Sequence, residues 1–261
     1  MMITAGIDAG LESTKAVILK DGVIIGKANG PTGGADRARN IKAVWQAALT
    51  DAGLKADDVS KVVATGKGKY DVTDALALVS EQAAAARAAR FFCRDATFVV
   101  SAGADVVMAA TLGGDRLLQE YAFNMKCSAG LGLFLTFLAD RLEISLEDLG
   151  SLDDPQGSSV NDGCVVFAEL DALGLLNRGA APEVVGAAAV KAAAVRTSAV
   201  INDVTAPDKK CAVLVGGLTK NAAFVSSLVA VSGIDFIVPD NAEFACALGA
   251  ALQGCEENKG G

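Results

Sequence analysis

Apolar and polar residues alternate along the start of the chain in the pattern of β-strands. The runs Thr14–Leu19 and Val23–Ala28 flank an Asp-Gly pair, which favours a hairpin turn, and Met1–Ile7 precedes them as another strand. The period then changes, because Arg37–Ala52 has apolar residues at helical spacing and ends before a glycine. This pattern predicts a three-stranded unit followed by a helix.

The same order of elements returns in the second half of the chain. Strand patterns occur at Thr97–Ser101, Val106–Ala110 and Arg116–Tyr121, and a helical pattern follows them. Later, a buried strand at Cys211–Val215 ends in two glycines. The repetition predicts an α/β protein with two similar domains facing a cleft, although one doubly wound domain gives similar local signals.

Helical patterns connect these strands. They are Asp74–Ala89, about Ser128–Leu142 and about Leu170–Leu176. With these elements assigned, we expect a first domain at residues 1–96 plus 239–261 and a second domain at residues 97–238.

Composition restricts the class of function. Hydrophobic residues make up 52% of the 261 residues and charged residues 21%, which excludes a disordered chain. The net charge of −8 argues against a nucleic-acid binder. No uninterrupted apolar stretch reaches the roughly 20 residues that cross a bilayer, and no secretory signal is visible, so we expect a cytoplasmic protein outside the membrane. Histidine is absent, which leaves carboxylates, lysine, thiolates, metals or backbone dipoles for any catalysis.

A glycine turn after the first strand is a candidate phosphate-binding site. Gly10 lets backbone N–H groups approach phosphate oxygens, and Ser13 and Thr14 are further candidate cofactor-binding residues. Asp8 stands at the end of the strand, where its carboxylate can hold Mg²⁺ through water, and Lys15 supplies a cation nearby. A surface hairpin with an incidental acidic residue explains the same residues equally well.

Two later glycine turns are candidates for other nucleotide contacts. The strand at Val213–Val215 ends in Gly216 and Gly217, and an adenine or ribose can lie against such bare backbone, with Asn221 close behind. Gly103 follows the first strand of the second half in the same way. Strand, two glycines and helix also form an ordinary turn, so the pattern alone leaves both interpretations open.

These turns, in this order, resemble the phosphate and adenosine motifs of the acetate and sugar kinase, Hsc70 and actin superfamily. A more specific resemblance is carried by Ala64–Lys69, Lys126–Leu135, Cys164–Glu169 and the stretch from Gly216 to Ala251. These segments are similar to those of the activator ATPases of 2-hydroxyacyl-CoA dehydratases and of the ATPase subunits of benzoyl-CoA reductases. The resemblance implies duplicated ribonuclease H-like domains that bind ATP and Mg²⁺.

Six cysteines without a CxxC pair do not form a disulfide framework in a cytoplasmic protein. A cubane cluster needs four thiolates, which two chains can supply with two cysteines each. For Cys127 and Cys164, spacing alone favours small buried hydrophobic residues. The resemblance implies instead that these two cysteines ligate a [4Fe-4S] cluster shared between two subunits.

The chain departs from the family at positions that matter for hydrolysis. Ser101 stands where the family usually carries an aspartate, and Asp105, four residues later, either compensates as a catalytic acid or caps a turn. Leu11 and Glu12 replace small hydroxyl residues in the first turn. These changes suit one member of a heterodimer whose partner carries the better-formed site.

The resemblance implies a subunit that uses ATP to pass a low-potential electron from the shared cluster to a partner enzyme. Because benzoyl-CoA reductases have two unequal ATPase subunits, the departures favour a benzoyl-CoA reductase subunit. Its partners would be a second ATPase subunit, the CoA-ester reductase or dehydratase component and a reduced ferredoxin-type donor. The alternatives are a dehydratase activator, which pairs identical chains, a non-hydrolysing binding subunit, and a small-molecule kinase that leaves the cysteines without a purpose.

Overall fold

The computed structural model describes residues 2–33, 36–114, 117–124, 131–151, 157–205 and 211–257. The chain divides into two compact units. The first unit contains Met1–Asp95, Gly114–Leu118 and Phe244–Gly261, and the second contains Ala96–Gly113 and Gln119–Glu243. Each unit is built on its own five-stranded sheet.

The first sheet is mixed. Its strands are β1 (Ile3–Ala9), β2 (Ser13–Lys20), β3 (Val23–Pro31), β4 (Lys61–Thr65) and β5 (Ala77–Leu78). In the order β3-β2-β1-β4-β5, the first three strands are antiparallel neighbours, β4 runs parallel to β1, and β5 runs parallel to β4. One face of this sheet packs its apolar side chains, such as Ile7 and Ile18, against Trp45 of the first helix.

The second sheet repeats the first. Its strands are β6 (Phe98–Ala102), β7 (Val107–Thr111), β8 (Glu120–Phe123), β9 (Ala212–Val215) and β10 (Phe236–Ile237). From β8 the order is β8-β7-β6-β9-β10, with β7 antiparallel to β6, β8 antiparallel to β7, and β9 and β10 parallel to β6. Order and direction match the first sheet strand for strand. The predicted duplication within an α/β fold is therefore confirmed.

Seven α-helices cover the sheets in the described part of the chain. They are α1 (Arg37–Ala52), α2 (Glu81–Phe92), α3 (Gly132–Leu142), α4 (Val165–Asn177), α5 (Pro182–Asn202), α6 (Ala222–Ser232) and α7 (Ala245–Glu257). The bounds of α1 agree with the prediction, since Asp36 caps its start and Gly53, at φ 65°, ends it. The predicted helix over Asp74–Ala89 begins later, because β5 and the N-cap Ser80 precede α2.

Helix α7 runs along the other face of the first sheet at very short range. A Cβ on Gly6 would collide with the backbone of Ala247, and the Thr4 hydroxyl donates to the carbonyl oxygen of Ala251 at 3.0 Å. Because residue 247 lies over Gly6 and residue 251 over Thr4, the N-terminal end of α7 is directed toward the carboxyl end of β1. Helix α2 lies beside α7, where a Cβ on Gly249 would collide with the backbone of Ala84.

Helix α5 forms the centre of the second unit. Among the described helices, it alone is long and apolar enough to cross a membrane, with a mean hydropathy of 1.5 over 18 residues. However, 78% of that window is buried inside the structure. Length and hydropathy of this kind are also typical of the core helix of a globular unit, so they are weak support for a membrane span.

Candidate functional site

The carboxyl ends of β1 and β4 bring Asp8, Thr65 and Gly66 together in the first unit. Asp8 pairs in register with Lys15 on β2 and with Thr65 on β4, so the three side chains leave the sheet on the same face. A Cβ on Gly66 would lie 2.6 Å from Oδ1 of Asp8 and 2.5 Å from the carbonyl oxygen of Ala9. Gly66 also has φ 88°, so both space and backbone conformation exclude a larger residue here. The Asp8 carboxylate therefore lies directly beside bare backbone.

The turn between β1 and β2 adds positive charge on the same face. The Lys15 ammonium donates to Ser13 Oγ at 2.5 Å and to the Ser13 carbonyl oxygen at 3.4 Å. Gly10 is required by the tight turn, because a Cβ there would lie 2.8 Å from the Ser13 carbonyl oxygen. The structure thus brings Asp8, Gly10, Ser13 and Lys15 together, in an arrangement that suits phosphate oxygens and a hydrated divalent cation.

Thr14 has a different environment from its neighbours. Its side chain is fully buried on the core face of β2, and its hydroxyl forms a hydrogen bond of 2.7 Å with the hydroxyl of Thr32. The side chain ties β2 to the end of β3 and points away from Lys15. Any nucleotide contact of Thr14 is therefore left to its backbone.

The second unit carries a matching turn after β6. The Gly103 N–H donates to the Val106 carbonyl oxygen at 2.9 Å. Asn124 then fixes the far side of the turn, because its side chain donates to the Asp105 carbonyl oxygen at 3.1 Å and accepts from the Val107 N–H at 2.8 Å. The Asp105 side chain is half-buried in this turn. It lies in the turn and not at the end of the strand.

Ser101 is the structural counterpart of Asp8. It pairs with Met108 on β7 and Val215 on β9, as Asp8 pairs with residues on β2 and β4. The family's aspartate position in the second loop is thus occupied by a hydroxyl in this chain. The second sheet has no carboxylate at the place where the first sheet has one.

Gly216 follows β9 as Gly66 follows β4. Its φ is 103°, and a Cβ on it would collide with the backbone of Ala102, just as one on Gly66 would with Ala9. The next residue is open, since no heavy atom lies within 4 Å of a Cβ built on Gly217. Only Gly217 therefore presents the uncrowded bare backbone that the sequence predicts for an adenine or ribose.

Asn221 is fully occupied within the second unit. Its side-chain nitrogen donates to the carbonyl oxygens of Leu146 and Leu149 at 2.6 Å and 2.8 Å. Its side-chain oxygen caps α6 by accepting from the Phe224 N–H at 2.6 Å. The residue is completely buried, so the amide holds the segment before α6 in place and has no bond left for a ligand.

Cys164 is the N-cap residue of α4, and a network of hydrogen bonds holds it there. The side-chain oxygen of Asn161 accepts from the N–H groups of Gly163 and Cys164 at 2.9 Å and 2.7 Å. The buried Arg196 of α5 donates through Nε to the Asp162 carbonyl oxygen at 2.5 Å. A half-buried thiol at a helix N-terminus is a good thiolate ligand, because the helix dipole favours its negative charge.

The other predicted cluster ligand, Cys127, lies outside the described residues. Within the part of the chain that the structure describes, no three Cys, Asp or Glu side chains gather into a metal site. The structure therefore fixes the surroundings of one predicted ligand only.

Large apolar side chains follow Cys164 along the outer surface of α4. Val166, Phe167, Leu170 and Leu173 are each 50% to 59% exposed. The spacing of 166, 170 and 173 places these three on one helix face. A patch of this kind on a single chain is typical of a protein-binding surface.

Thr65 has a feature that the sequence did not reveal. Its side chain is fully buried, and its hydroxyl has no hydrogen-bond partner among the described residues. A cavity of about 290 Å³ adjoins the next residues and is lined in part by Gly66, Lys67, Lys69 and Ser80. In the sequence Thr65 stands out only as part of the Ala64–Lys69 motif, and a hydroxyl at the end of a parallel strand before a glycine was the available signal.

Comparison with known proteins shows similarity along nearly the whole chain. It is 32% identical over 266 residues to the activator of lactoyl-CoA dehydratase of Anaerotignum propionicum, covering 98% of both proteins. It is 30% identical over 263 residues to the 2-hydroxyisocaproyl-CoA dehydratase activator of Clostridioides difficile, covering 99% of this chain and 97% of that protein. A benzoyl-CoA reductase subunit of Thauera aromatica is 29% identical over 272 residues, covering 97% and 93%.

Solved structures agree with this similarity. Component A of the Acidaminococcus fermentans (R)-2-hydroxyglutaryl-CoA dehydratase superposes with a TM-score of 0.89 at 27% identity, over 99% of this chain and 100% of that one. The activator of 2-hydroxyisocaproyl-CoA dehydratase from Clostridium difficile, with bound ADPNP, gives 0.87 at 30% identity, over 99% and 96%. A Streptomyces griseus glucokinase, at 0.60 and 14% identity over 96% and 98%, shares the fold alone, which confirms the predicted sugar-kinase type of architecture. The family model of the BadF/BadG/BcrA/BcrD ATPases matches residues 5–254, and the chain therefore belongs to the BadF/BadG/BcrA/BcrD ATPase family.

Proposed function

We propose that this chain is the ATP-dependent activator of a 2-hydroxyacyl-CoA dehydratase. It binds and hydrolyses ATP and delivers a low-potential electron to the dehydratase component. The observation that carries the proposal is Cys164, held at the start of a helix whose outer face is apolar and exposed. A sugar kinase has no use for this arrangement.

The comparisons favour the activator over the benzoyl-CoA reductase subunit that the sequence departures suggested. Two dehydratase activators are 32% and 30% identical to the chain, and the reductase subunit is 29% identical. Both solved relatives with high superposition scores carry dehydratase names. The general role of an ATPase serving a CoA-ester enzyme is common to both alternatives.

The first unit supplies the residues that we assign to phosphate and Mg²⁺. The Asp8 carboxylate lies beside the bare backbone of Gly66, and the buried Thr65 hydroxyl has an unused hydrogen-bonding capacity next to it. These oxygen donors suit a hydrated Mg²⁺, which would screen the charge on the phosphates. Lys15 and the turn at Gly10 add a cation and backbone N–H groups. The contacts assigned to Gly103, Gly216 and Gly217 remain predictions.

The cluster assignment rests on the donor chemistry of α4. Cys164 provides one thiol per chain, and Cys127 is the proposed second ligand, so two chains provide the four thiolates of a cubane. Bound there, the [4Fe-4S] cluster would supply one-electron chemistry at low potential. The Asn161 and Arg196 bonds hold the Cys164 backbone in place, which keeps the thiol at one position.

A direct contact joins the second-unit turn to the helix that follows the Cys127 segment. The Leu133 N–H at the start of α3 donates to the Ala104 carbonyl oxygen at 2.9 Å. A Cβ on Gly132 would lie 2.8 Å from the Cα of Ala104. A nucleotide-dependent change at this turn therefore moves the start of α3, and with it the chain that carries Cys127. This is the physical link that we propose between ATP and the cluster.

One anaerobic experiment tests the proposal. The purified chain is expected to hold about four iron atoms per two chains, the content of one cubane. With ATP and a strong reductant it is expected to activate the dehydratase component of a 2-hydroxyacyl-CoA dehydratase. Cys164→Ser is expected to lose both iron and activation. Cys93→Ser, at the C-cap of α2, is the matched control and is expected to keep both.

The outcomes separate the alternatives. Activation of a benzoyl-CoA reductase component alone, by a chain that requires a second, different ATPase subunit, would return the assignment to the reductase type. A colourless, iron-free protein after anaerobic reconstitution would contradict the electron-transfer role altogether.

A second function is favoured by one observation, the hydroxyl of Ser101 at the position equivalent to Asp8. A chain that binds nucleotide without hydrolysing it would pair with an active ATPase subunit. In that case the purified chain shows no ATP turnover at any Mg²⁺ concentration. Turnover that falls in Asp8→Asn excludes this alternative.

A further inference from the structure

The Thr65 hydroxyl is buried without a partner, which is an unfavourable arrangement for a purely structural side chain. Thr65 is 0% exposed, and Oγ1 has no hydrogen-bond partner among the described residues. Buried hydroxyl groups are nearly always hydrogen-bonded, and leaving one unpaired lowers stability. A threonine at this position therefore calls for an explanation outside the packing of the ligand-free chain.

The second sheet shows that the fold does not need a hydroxyl at this position. Val215 on β9 pairs with Ser101 in the same register in which Thr65 on β4 pairs with Asp8. Val215 is also fully buried, and each of the two residues precedes a glycine with positive φ. Valine has the shape of threonine without the hydroxyl, so the two sheets differ here in chemistry and not in packing.

The surroundings of Thr65 indicate what the hydroxyl contacts. It shares a sheet face with the carboxylate of Asp8, whose Oδ1 lies against the residue that follows Thr65. The N-terminal end of α7 is directed toward the same end of β1. The positive end of a helix dipole favours an anion or an oriented water there. The hydroxyl thus lies among groups that suit phosphate and the water shell of a cation.

We propose that Thr65 is a positioning residue of the ATPase: its hydroxyl forms a hydrogen bond with a water molecule of the Mg²⁺–nucleotide that Asp8 holds. This inference rests on the proposed nucleotide site in the first unit. The hydroxyl gives the water a second fixed partner besides the carboxylate, and so sets its orientation. Bond formation and proton transfer are left to other groups.

The test compares Thr65→Val with the wild-type chain by thermal unfolding, with and without ADP and Mg²⁺. Without ligand, Thr65→Val is expected to unfold at the same or a higher temperature, because it removes an unpaired buried hydroxyl without changing shape. The additional stabilisation by Mg²⁺ over ADP alone is expected to shrink. The Mg²⁺ concentration required for ADP binding is expected to rise about two- to tenfold, the effect of one neutral hydrogen bond. Thr65→Ser is expected to restore the wild-type value.

Thr4→Val is the matched control. Thr4 is fully buried on the same face of the first sheet, but its hydroxyl donates to the Ala251 carbonyl oxygen at 3.0 Å. Its replacement is expected to lower the unfolding temperature of the ligand-free chain and to leave the Mg²⁺ requirement unchanged. The two variants thus separate a structural hydroxyl from one that serves the ligand.

Three outcomes are decisive. A Thr65→Val chain that is less stable without ligand and has an unchanged Mg²⁺ requirement overturns the inference, because Thr65 is then structural. An unchanged Mg²⁺ requirement with unchanged stability also overturns it. A wild-type chain that shows no stabilisation by Mg²⁺ and ADP overturns the proposed nucleotide site itself, and the inference with it.

Discussion

Single residues decide which unit carries the charge chemistry. Gly66 and Gly216 occupy equivalent places after β4 and β9, both have positive φ, and both are pressed against the neighbouring strand. The residues beside them differ, because Asp8 and Thr65 in the first sheet correspond to Ser101 and Val215 in the second. A carboxylate with a free hydroxyl next to it suits a metal-bound phosphate. Serine and valine at the equivalent position do not.

Replacement of Gly66 is predicted to damage both stability and nucleotide binding. In Gly66→Ala the backbone keeps an unfavourable φ of 88°, and the new Cβ meets the Ala9 carbonyl oxygen and Asp8 Oδ1 at 2.5 Å and 2.6 Å. The conformation alone costs about 1–2 kcal/mol. We expect a larger loss in the free energy of unfolding, measured by urea denaturation, and weaker Mg²⁺-dependent binding of ADP.

Gly22→Ala provides the control for this prediction. Gly22 has φ 84°, and nothing lies within 4 Å of a Cβ built on it. It therefore reports the cost of the conformation without a collision, and ADP binding is expected to stay unchanged. Equal losses of stability in the two variants would mean that the contact between Gly66 and Asp8 is unimportant.

At the scale of elements, the sequence is informative where local chemistry decides and fails where a distant partner does. Helix α1 is predicted to the residue because Asp36 and Gly53 mark its two ends. The start of α2 is wrong by seven residues, since Ala77 and Leu78 pair with β4 as a short parallel strand. That pairing depends on a strand more than ten residues earlier, and no local pattern contains it.

The site shows the same division between local and distant causes. Glycine turns and Asp8 are visible in the sequence because their backbone requirements are local. The burial of Thr14 against Thr32 and the three hydrogen bonds of Asn221 depend on partners from other elements, so the ligand roles predicted for these two side chains are not supported by the structure. The unpaired hydroxyl of Thr65 is likewise defined only by its tertiary surroundings.

The contact between α3 and the second-unit turn leads to a prediction about coupling. In Gly132→Ala the new Cβ would lie 2.8 Å from the Cα of Ala104 and 2.9 Å from the Gly103 carbonyl oxygen, so the start of α3 must shift. Overpacking of this kind costs about 1–3 kcal/mol. We expect ATP hydrolysis to continue while fewer electrons reach the acceptor per ATP, measured as the ratio of the two rates.

A glycine inside α4 serves as the comparison. A Cβ on Gly174 would meet only the flexible end of Arg178, at 3.3 Å, so Gly174→Ala is expected to leave the ratio and the stability nearly unchanged or slightly improved. If Gly132→Ala kept the wild-type ratio of electrons to ATP, the turn and α3 would not be the coupling element.

The whole molecule carries an apolar surface that a single acidic chain does not explain. With a net charge of −8, the chain nevertheless exposes Val166, Phe167, Leu170 and Leu173 directly after a proposed cluster ligand. Two chains must approach closely at Cys164 if they are to share one cubane. The apolar face of α4 is therefore expected to be covered by a second copy of the chain, because burial of such a surface stabilises an interface.

Leu170→Ser is predicted to separate the two copies. Leu170 is 57% exposed, so its loss is expected to change the stability of one chain little, but it removes apolar area from the shared interface. Light scattering under anaerobic conditions is expected to give the mass of one chain, and iron content is expected to fall with it, because one chain has half of the thiolates. Leu76→Ser, at a leucine that is 74% exposed in the first unit, is expected to keep both the mass of two chains and the iron. A Leu170→Ser chain that stays paired and loaded with iron would mean that the copies meet elsewhere. A monomer that still holds four iron atoms would contradict the shared cluster itself, since no second chain would then be needed to complete it.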